Sequence, residues 1–133
     1  STKTTPYKKT TLYKNILEDF LLIKGESNIE KSKEKLDVFK EKYANDLNNK
    51  MFSKLNEDIL EVEKNVQAHY DEINNDKEKI SIAINEDISL AKDLIDKFKE
   101  KYPNEDISDI EDTYNKKVAE IKKQEAQWLL AGS

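Results

Sequence analysis

Apolar side chains recur every three or four residues between Asn28 and Asn74, with no Gly or Pro among them. This is the spacing of one face of an α-helix. The positions are Ile29, Leu36, Phe39, Tyr43, Leu47, Met51 or Phe52, Leu55, Ile59, Val62, Val66, Tyr70 and Ile73. At 1.5 Å per residue, one helix over this stretch is about 70 Å long, so we expect it to pack against other helices. Asn45, Asn48 and Asn49 are weak helix formers, and a kink or short break near these residues is the alternative.

The ends of this helix have signals of their own. Ser27, followed three residues later by Glu30, is a capping box and predicts the helix start. Asn74, Asn75 and Asp76 favour turns and predict its end.

A short amphipathic helix is predicted before it, from Leu12 to Lys24. Its apolar positions lie on one broad face, which is typical of a helix that docks on longer helices. Thr11 can cap its start, and Gly25 can end it in the left-handed conformation.

Two further long helices are predicted after the turn. The first runs from about Lys77 to Tyr102 and stops before Pro103, which cannot continue a helix. Asn104 can cap the last helix, and Gly132 is placed to end it. Short turns between long helices favour antiparallel neighbours. We therefore predict an all-α fold, an elongated antiparallel bundle of three long helices and one short N-terminal helix. We expect residues 12–133 to form a single domain, and no repeat with a period of 20–50 residues is visible.

Composition agrees with this fold and narrows the partners. The 133 residues are 36% hydrophobic and 38% charged, with two Gly and two Pro. All 23 basic residues are Lys, so the bidentate guanidinium contact to bases is missing, which argues against sequence-specific nucleic-acid binding. Without Cys, neither disulfides nor thiolate metal sites can form.

Residues 1–11 form a Thr-rich basic segment, which we expect to be a flexible arm because Pro6 disfavours helix. Up to residue 15 it carries Lys3, Lys8, Lys9 and Lys14 and no acid. With a net charge of −5 for the whole chain, the remainder carries −9. Lys3, Lys8 and Lys9 are therefore candidate contacts to an acidic partner. The alternative is a solvated tail or linker.

The residue patterns needed for catalysis or metal binding are missing. His69 is the only His and lacks the Glu-x-x-His arrangement of di-metal bundles. A calcium-binding loop requires a central Gly, and the acidic segment of residues 104–112 contains none. With two Gly in the chain, no Gly-rich phosphate loop can be built. We expect a protein that is not an enzyme and that holds no metal or cofactor.

Trp128, the only Trp, lies beside Leu129 and Leu130 near the end of the last helix. Neighbouring helical residues point about 100° apart, so the three cannot all face the bundle. We expect Trp128 to pack internally, against the helix from Leu12. The alternative is that the three residues form an exposed contact for a partner.

The function predicted from these features is a non-catalytic helical module for protein–protein interaction. The richness in Lys, Asn and Ile is typical of an AT-rich microbe, and an exported or surface location is favoured over the cytoplasm. The alternative is an intracellular structural or assembly component, of a phage or a cytoskeletal complex, that oligomerises through its long helix as a coiled coil. The partner is another protein or a second copy. The longest apolar runs have four residues, too few to span a membrane.

Overall fold

The computed structural model describes the backbone of residues 4–132 and the side chains of residues 11–132. That part of the chain contains five α-helices and two short 3-10 turns, and no strand. The helices are α1 (Thr4–Lys24), α2 (Ile29–Tyr43), α3 (Ser53–Glu86), α4 (Ile88–Lys101) and α5 (Ser108–Ala131). The all-α prediction is confirmed, whereas the predicted count of three long helices is not.

Helix α1 begins at Thr4, eight residues before the predicted start at Leu12. Pro6 lies in its first turn, where backbone N–H groups have no partner within the helix, so the missing donor costs little. Gly25 follows α1 as predicted, and its N–H donates to the carbonyl of Leu21 at 2.9 Å. No described residue has a positive φ, so the predicted left-handed cap is wrong.

The predicted helix from Asn28 to Asn74 is interrupted between α2 and α3 by the 3-10 turns Asp46–Asn48 and Lys50–Phe52. Asn49 is extended, with φ −72° and ψ 135°, and its side chain accepts a hydrogen bond from the Met51 N–H. This is the turn chemistry that makes Asn a weak helix former. The alternative of a break near residues 45–49 is confirmed, and the continuous helix is wrong.

The start of α2 is capped by Asn28 and not by Ser27. The Asn28 side chain accepts a hydrogen bond from the Lys31 N–H at 3.0 Å. Asn is as good an N-cap as Ser, so the sequence correctly predicts a capped helix start but places the cap one residue too early.

The predicted turn at Asn74, Asn75 and Asp76 is also wrong, because α3 continues through these residues to Glu86. Ile73 and Ile80 lie two turns apart on one face of α3, and both are buried. Burial of this face outweighs the few tenths of a kcal/mol that each Asn costs in a helix.

The predicted helix from Lys77 to Tyr102 is divided at Asp87, between α3 and α4. Asp87 is extended and caps α4 by accepting a hydrogen bond from the Leu90 N–H at 3.1 Å.

The last helix likewise starts later than predicted. It begins at Ser108, where Asp106 accepts a hydrogen bond from the Ser108 N–H at 2.8 Å, so Asn104 is not its cap.

The chain divides into two compact units, unit 1 up to Tyr70 and unit 2 from Asp71. Unit 1 contains α1, α2 and the first part of α3, and unit 2 contains the rest of α3, α4 and α5. The core of unit 1 consists of Ile16, Phe20, Ile23, Leu36, Phe39, Tyr43, Phe52, Leu55 and Ile59. The buried apolar residues of unit 2 are Ile73, Ile80, Ala83, Ile84, Ala91, Ile95, Phe98 and Ile107. The single domain over residues 12–133 stays a prediction.

Candidate interaction surfaces

The last ten residues of α5 extend past Ile88, the first residue of α4. Helix α4 has 14 residues and α5 has 24. An ion pair of 2.8 Å between Lys99 Nζ and Glu111 Oε2 places the end of α4 beside the start of α5. Counted back from that pair, the first residue of α4, Ile88, lies level with about residue 122 of α5. Every described residue from Lys122 onwards is exposed. We call residues 122–131 the overhang.

The overhang carries the three apolar residues singled out in the sequence. Trp128, Leu129 and Leu130 are 78%, 76% and 77% exposed. The expected internal packing of Trp128 is therefore wrong. Trp128 lies seven residues after Ile121, which places it on the face that α5 half-buries earlier in the helix. Leu130 lies on the opposite side.

The candidate basic contacts fall outside the part of the chain whose side chains are described. Lys3 precedes the first described residue, and the side chains of Lys8 and Lys9 are among those not described.

A second feature, which the sequence reading missed, is a set of side chains that joins α2 to α1 in unit 1. Tyr43 Oη donates a hydrogen bond of 2.5 Å to Asp19 Oδ2, and Lys42 Nζ lies 3.0 Å from the same oxygen. The Tyr43 ring packs edge-on against Phe39, with 5.1 Å between ring centroids. We call these residues clasp 1.

The same set recurs in unit 2 and joins α4 to α3. Tyr102 Oη donates a hydrogen bond of 2.7 Å to Asp76 Oδ2, and Lys101 Nζ lies 3.4 Å from that oxygen. The Tyr102 and Phe98 ring centroids lie 4.7 Å apart. Lys101 Nζ also pairs with Glu72 Oε1 at 2.6 Å. We call these residues clasp 2.

Each clasp shifts the pKa of its Asp and its Tyr in opposite directions. The hydrogen bond from Tyr102 and the charge of Lys101 hold the pKa of Asp76 below its usual range. Burial, followed by the hydrogen bond to Asp76, raises the pKa of Tyr102 to about 12. The hydrogen bond from Tyr43 lowers the pKa of Asp19, while burial raises that of Tyr43. Each clasp thus holds an ionised carboxylate and a neutral phenol, an arrangement that fixes two helices in register.

Beside each clasp lies a groove between the two joined helices. Groove 1, between α1 and α2, has a volume of about 430 Å³, and groove 2, between α3 and α4, has about 220 Å³. Each residue that lines groove 2 has a counterpart in groove 1. On the first helices the pairs are 57 residues apart: Asp19 with Asp76, Leu22 with Lys79 and Ile23 with Ile80. On the second helices they are 59 apart: Lys35 with Leu94, Val38 with Lys97, Phe39 with Phe98 and Lys42 with Lys101.

The two units are therefore related in sequence as well as in contacts. The pentapeptide Phe-Lys-Glu-Lys-Tyr occurs at residues 39–43 and again at 98–102. The helix caps Asn28 and Asp87 are also 59 residues apart, as are the buried small residues Ser32 and Ala91. This internal repeat was detectable from the pentapeptide, but its spacing exceeds the 20–50 residues of solenoid repeats.

The remaining chemical candidates stay dispersed. His69 is exposed on α3. Among the described residues, no group of three His, Cys, Asp or Glu is placed to hold a metal ion. No described helix is both long enough and apolar enough to cross a membrane.

Comparisons with known proteins give no match, whether to family models, to curated proteins or to solved structures.

Proposed function

We propose that this chain is a non-catalytic helical module that binds another protein through the overhang of α5. The observation that supports this is the exposure of Trp128, Leu129 and Leu130, each more than three quarters accessible to solvent. Clustered exposed apolar residues that include an aromatic are typical of interaction sites, and Trp is enriched among the residues that dominate binding energy.

The position of the cluster adds to this support. The apolar stripe of α5 continues beyond the level of Ile88, where α4 begins, so Trp128 extends a packing face with no helix of its own unit over it. A second helix laid on this face would find apolar contacts spaced as in an ordinary helix pair.

The non-catalytic part of the proposal rests on the side chains that the fold brings together. The carboxylates of the two clasps are engaged by Tyr and Lys, which leaves them ionised and hydrogen-bonded. A general acid or base needs a pKa close to the working pH, whereas the pKa values of Asp19 and Asp76 are lowered and lie further from it.

The alternative function, self-assembly through one coiled-coil helix over residues 28–74, is not proposed. The interruption between Tyr43 and Ser53 removes the continuous helix on which it depended.

Trp128 itself provides the test, because it is the only Trp in the chain. In the isolated protein we expect its fluorescence to be quenched readily by acrylamide, as for a solvated indole. Binding of a partner should shield it and shift its emission to the blue.

Capture experiments should compare the wild type with Trp128→Ala and with a matched control, Leu60→Ala. Leu60 is 60% exposed on α3, so it is an exposed apolar residue outside the overhang. We expect Trp128→Ala to lose the partner and Leu60→Ala to keep it, with both variants melting as the wild type does. A partner held equally by Trp128→Ala and by the wild type would refute the proposal.

A further inference from the structure

Groove 1 and groove 2 have the same construction and differently charged rims. In groove 1 the rim residues Leu22 and Val38 are 66% and 65% exposed. Their counterparts in groove 2 are Lys79 and Lys97, also exposed. Since unit 2 packs its two helices with Lys at both positions, the fold does not require aliphatic side chains there. The aliphatic side chains at the rim of groove 1 are therefore not needed to pack α1 against α2.

An acidic stripe runs along α2 beside this rim. Four exposed acids, three or four residues apart, share one side of the helix next to Val38. They are Glu30, Glu34, Asp37 and Glu41. Within the described part of the chain, Glu34, Asp37 and Glu41 form no ion pair. An occupant of groove 1 should therefore present an apolar face flanked by positive charge.

The overhang of α5 has this character. Trp128 and Leu129 supply the apolar face, and Lys122, seven residues before Leu129, lies on the same side of the helix. Lys123 follows directly. The overhang and the rim of groove 1 are both exposed within the chain, so each is accessible to the matching surface of a second copy.

We propose that the overhang of one copy binds in groove 1 of a second copy, with Trp128 and Leu129 against Leu22 and Val38 and with Lys122 near the acids of α2. This inference rests on the proposed function, because it names the partner of the same overhang. The contact places a helix in a two-helix groove, a recurring mode of protein recognition. It joins two different surfaces, so it is heterologous and builds a ring or an open chain of copies.

The comparison of the two units supplies the variant for the test. Leu22→Lys with Val38→Lys gives groove 1 the rim that groove 2 already has, a change that unit 2 shows the fold can accept. The matched control is Lys79→Ala with Lys97→Ala, which alters the rim of groove 2. Sedimentation velocity over a range of concentrations reports the assembly, and circular dichroism melting reports the fold.

We expect the wild type and the control to associate, and to do so less at high salt because the flanking charges are screened. Trp128→Ala keeps an intact groove 1, and the double Lys variant keeps an intact overhang, so each alone should be monomeric. Mixed, they should form a pair that grows no further, since the two remaining surfaces of that pair are both inactivated.

A wild type that stays monomeric up to about 1 mM, or two variants that fail to pair when mixed, would overturn this inference. If the wild type is monomeric and Trp128→Ala still loses a different partner, the inference fails while the proposed function stands. If Trp128→Ala associates as the wild type does, the overhang is not the contact between copies and the inference fails. The proposed function fails as well only if Trp128→Ala also holds a captured partner as the wild type does.

Discussion

Replacing Tyr102 by Phe removes one hydroxyl from clasp 2 and leaves its ring in place. That hydroxyl donates a hydrogen bond of 2.7 Å to Asp76, while the ring packs against Phe98. The variant therefore isolates the hydrogen bond between α4 and α3 from the apolar contact beside it.

The expected loss follows from the charge and exposure of the acceptor. A hydrogen bond to a charged group contributes about 1.5–3 kcal/mol when it is well shielded. The Asp76 side chain is 28% exposed, so water can replace part of the bond. We expect the free energy of unfolding to fall by about 1–1.5 kcal/mol, at or just below the lower limit of that range. For a chain of this length the corresponding drop in Tm is about 3–6 °C.

The pH dependence gives a second, independent readout. The pKa of Asp76 is lower in the folded chain than in the unfolded chain, where it is about 3.9. Such a carboxylate contributes stability that is fully present above the unfolded value and is lost as the pH falls through the folded value. The difference in Tm between the wild type and Tyr102→Phe should therefore be constant from about pH 7 to 5 and shrink below about pH 4.

Thermal melts followed by circular dichroism at several pH values measure both effects. Tyr43→Phe should behave alike, since clasp 1 has the same geometry. Tyr13→Phe is the control, because the Tyr13 ring stacks on Phe52 and no hydrogen bond of its hydroxyl is involved. A Tyr102→Phe variant as stable as the wild type at neutral pH, or a deficit that persists undiminished at pH 3, would show that this reasoning is wrong.

Three further predictions concern the buried ring of Phe98, the helix cap Asp87 and the titration of Tyr102. Phe98 is 3% exposed, so Phe98→Ala should lower the free energy of unfolding by about 3–5 kcal/mol, measured by urea denaturation. Asp87→Ala removes the cap of α4 and should cost about 1 kcal/mol in the same assay, and no loss would argue against the cap. The pKa of Tyr102, raised to about 12, exceeds its unfolded value of about 10. Stability from this group is present below the unfolded value and lost as the pH rises through the folded one, so wild-type Tm should fall more steeply than that of Tyr102→Phe above about pH 10.

The sequence pattern predicted helix correctly along most of the chain, because the apolar stripe that defines a helix face is also the stripe that each unit buries. It did not predict which of two Asn-rich stretches would interrupt the stripe. The side chain of Asn49 accepts a hydrogen bond from the backbone N–H of Met51, two residues on, and forms a turn. Asp76 instead accepts a hydrogen bond from Tyr102, the residue directly after α4, and the helix around Asp76 continues. That difference depends on a partner 26 residues away, which local spacing does not reveal.

The exposure of Trp128 depends in the same way on another helix, because it follows from where α4 begins. The spacing of Ile121 and Trp128 places both on one face of α5, and a continuous stripe predicts continuous burial. Helix α4 starts at Ile88 only because Asp87 divides what the pattern presents as a single helix. Because the apolar pattern does not reveal this division, it predicts that the helix opposite α5 begins eleven residues earlier, at Lys77, and it does not predict the overhang.

Because the two units share one arrangement of helices, the residues at equivalent positions show which substitutions this arrangement accepts. Positions that match in chemistry, such as Tyr43 with Tyr102 and Phe39 with Phe98, lie in the clasps, where a change would break a hydrogen bond or open a cavity. Ser32 and Ala91 match in size alone and are both buried, which indicates that small volume is what this helix position requires.

Leu22 and its counterpart Lys79 match in neither chemistry nor charge, and both lie at the rim of a groove that forms in either case. A fold that accepts Lys at this position gains little from Leu, because an aliphatic side chain left about two thirds exposed buries little area. The free energy of burying Leu22 is still available to an intermolecular contact. The rim positions that differ between the two units are therefore positions where the side-chain chemistry can change while both grooves still form.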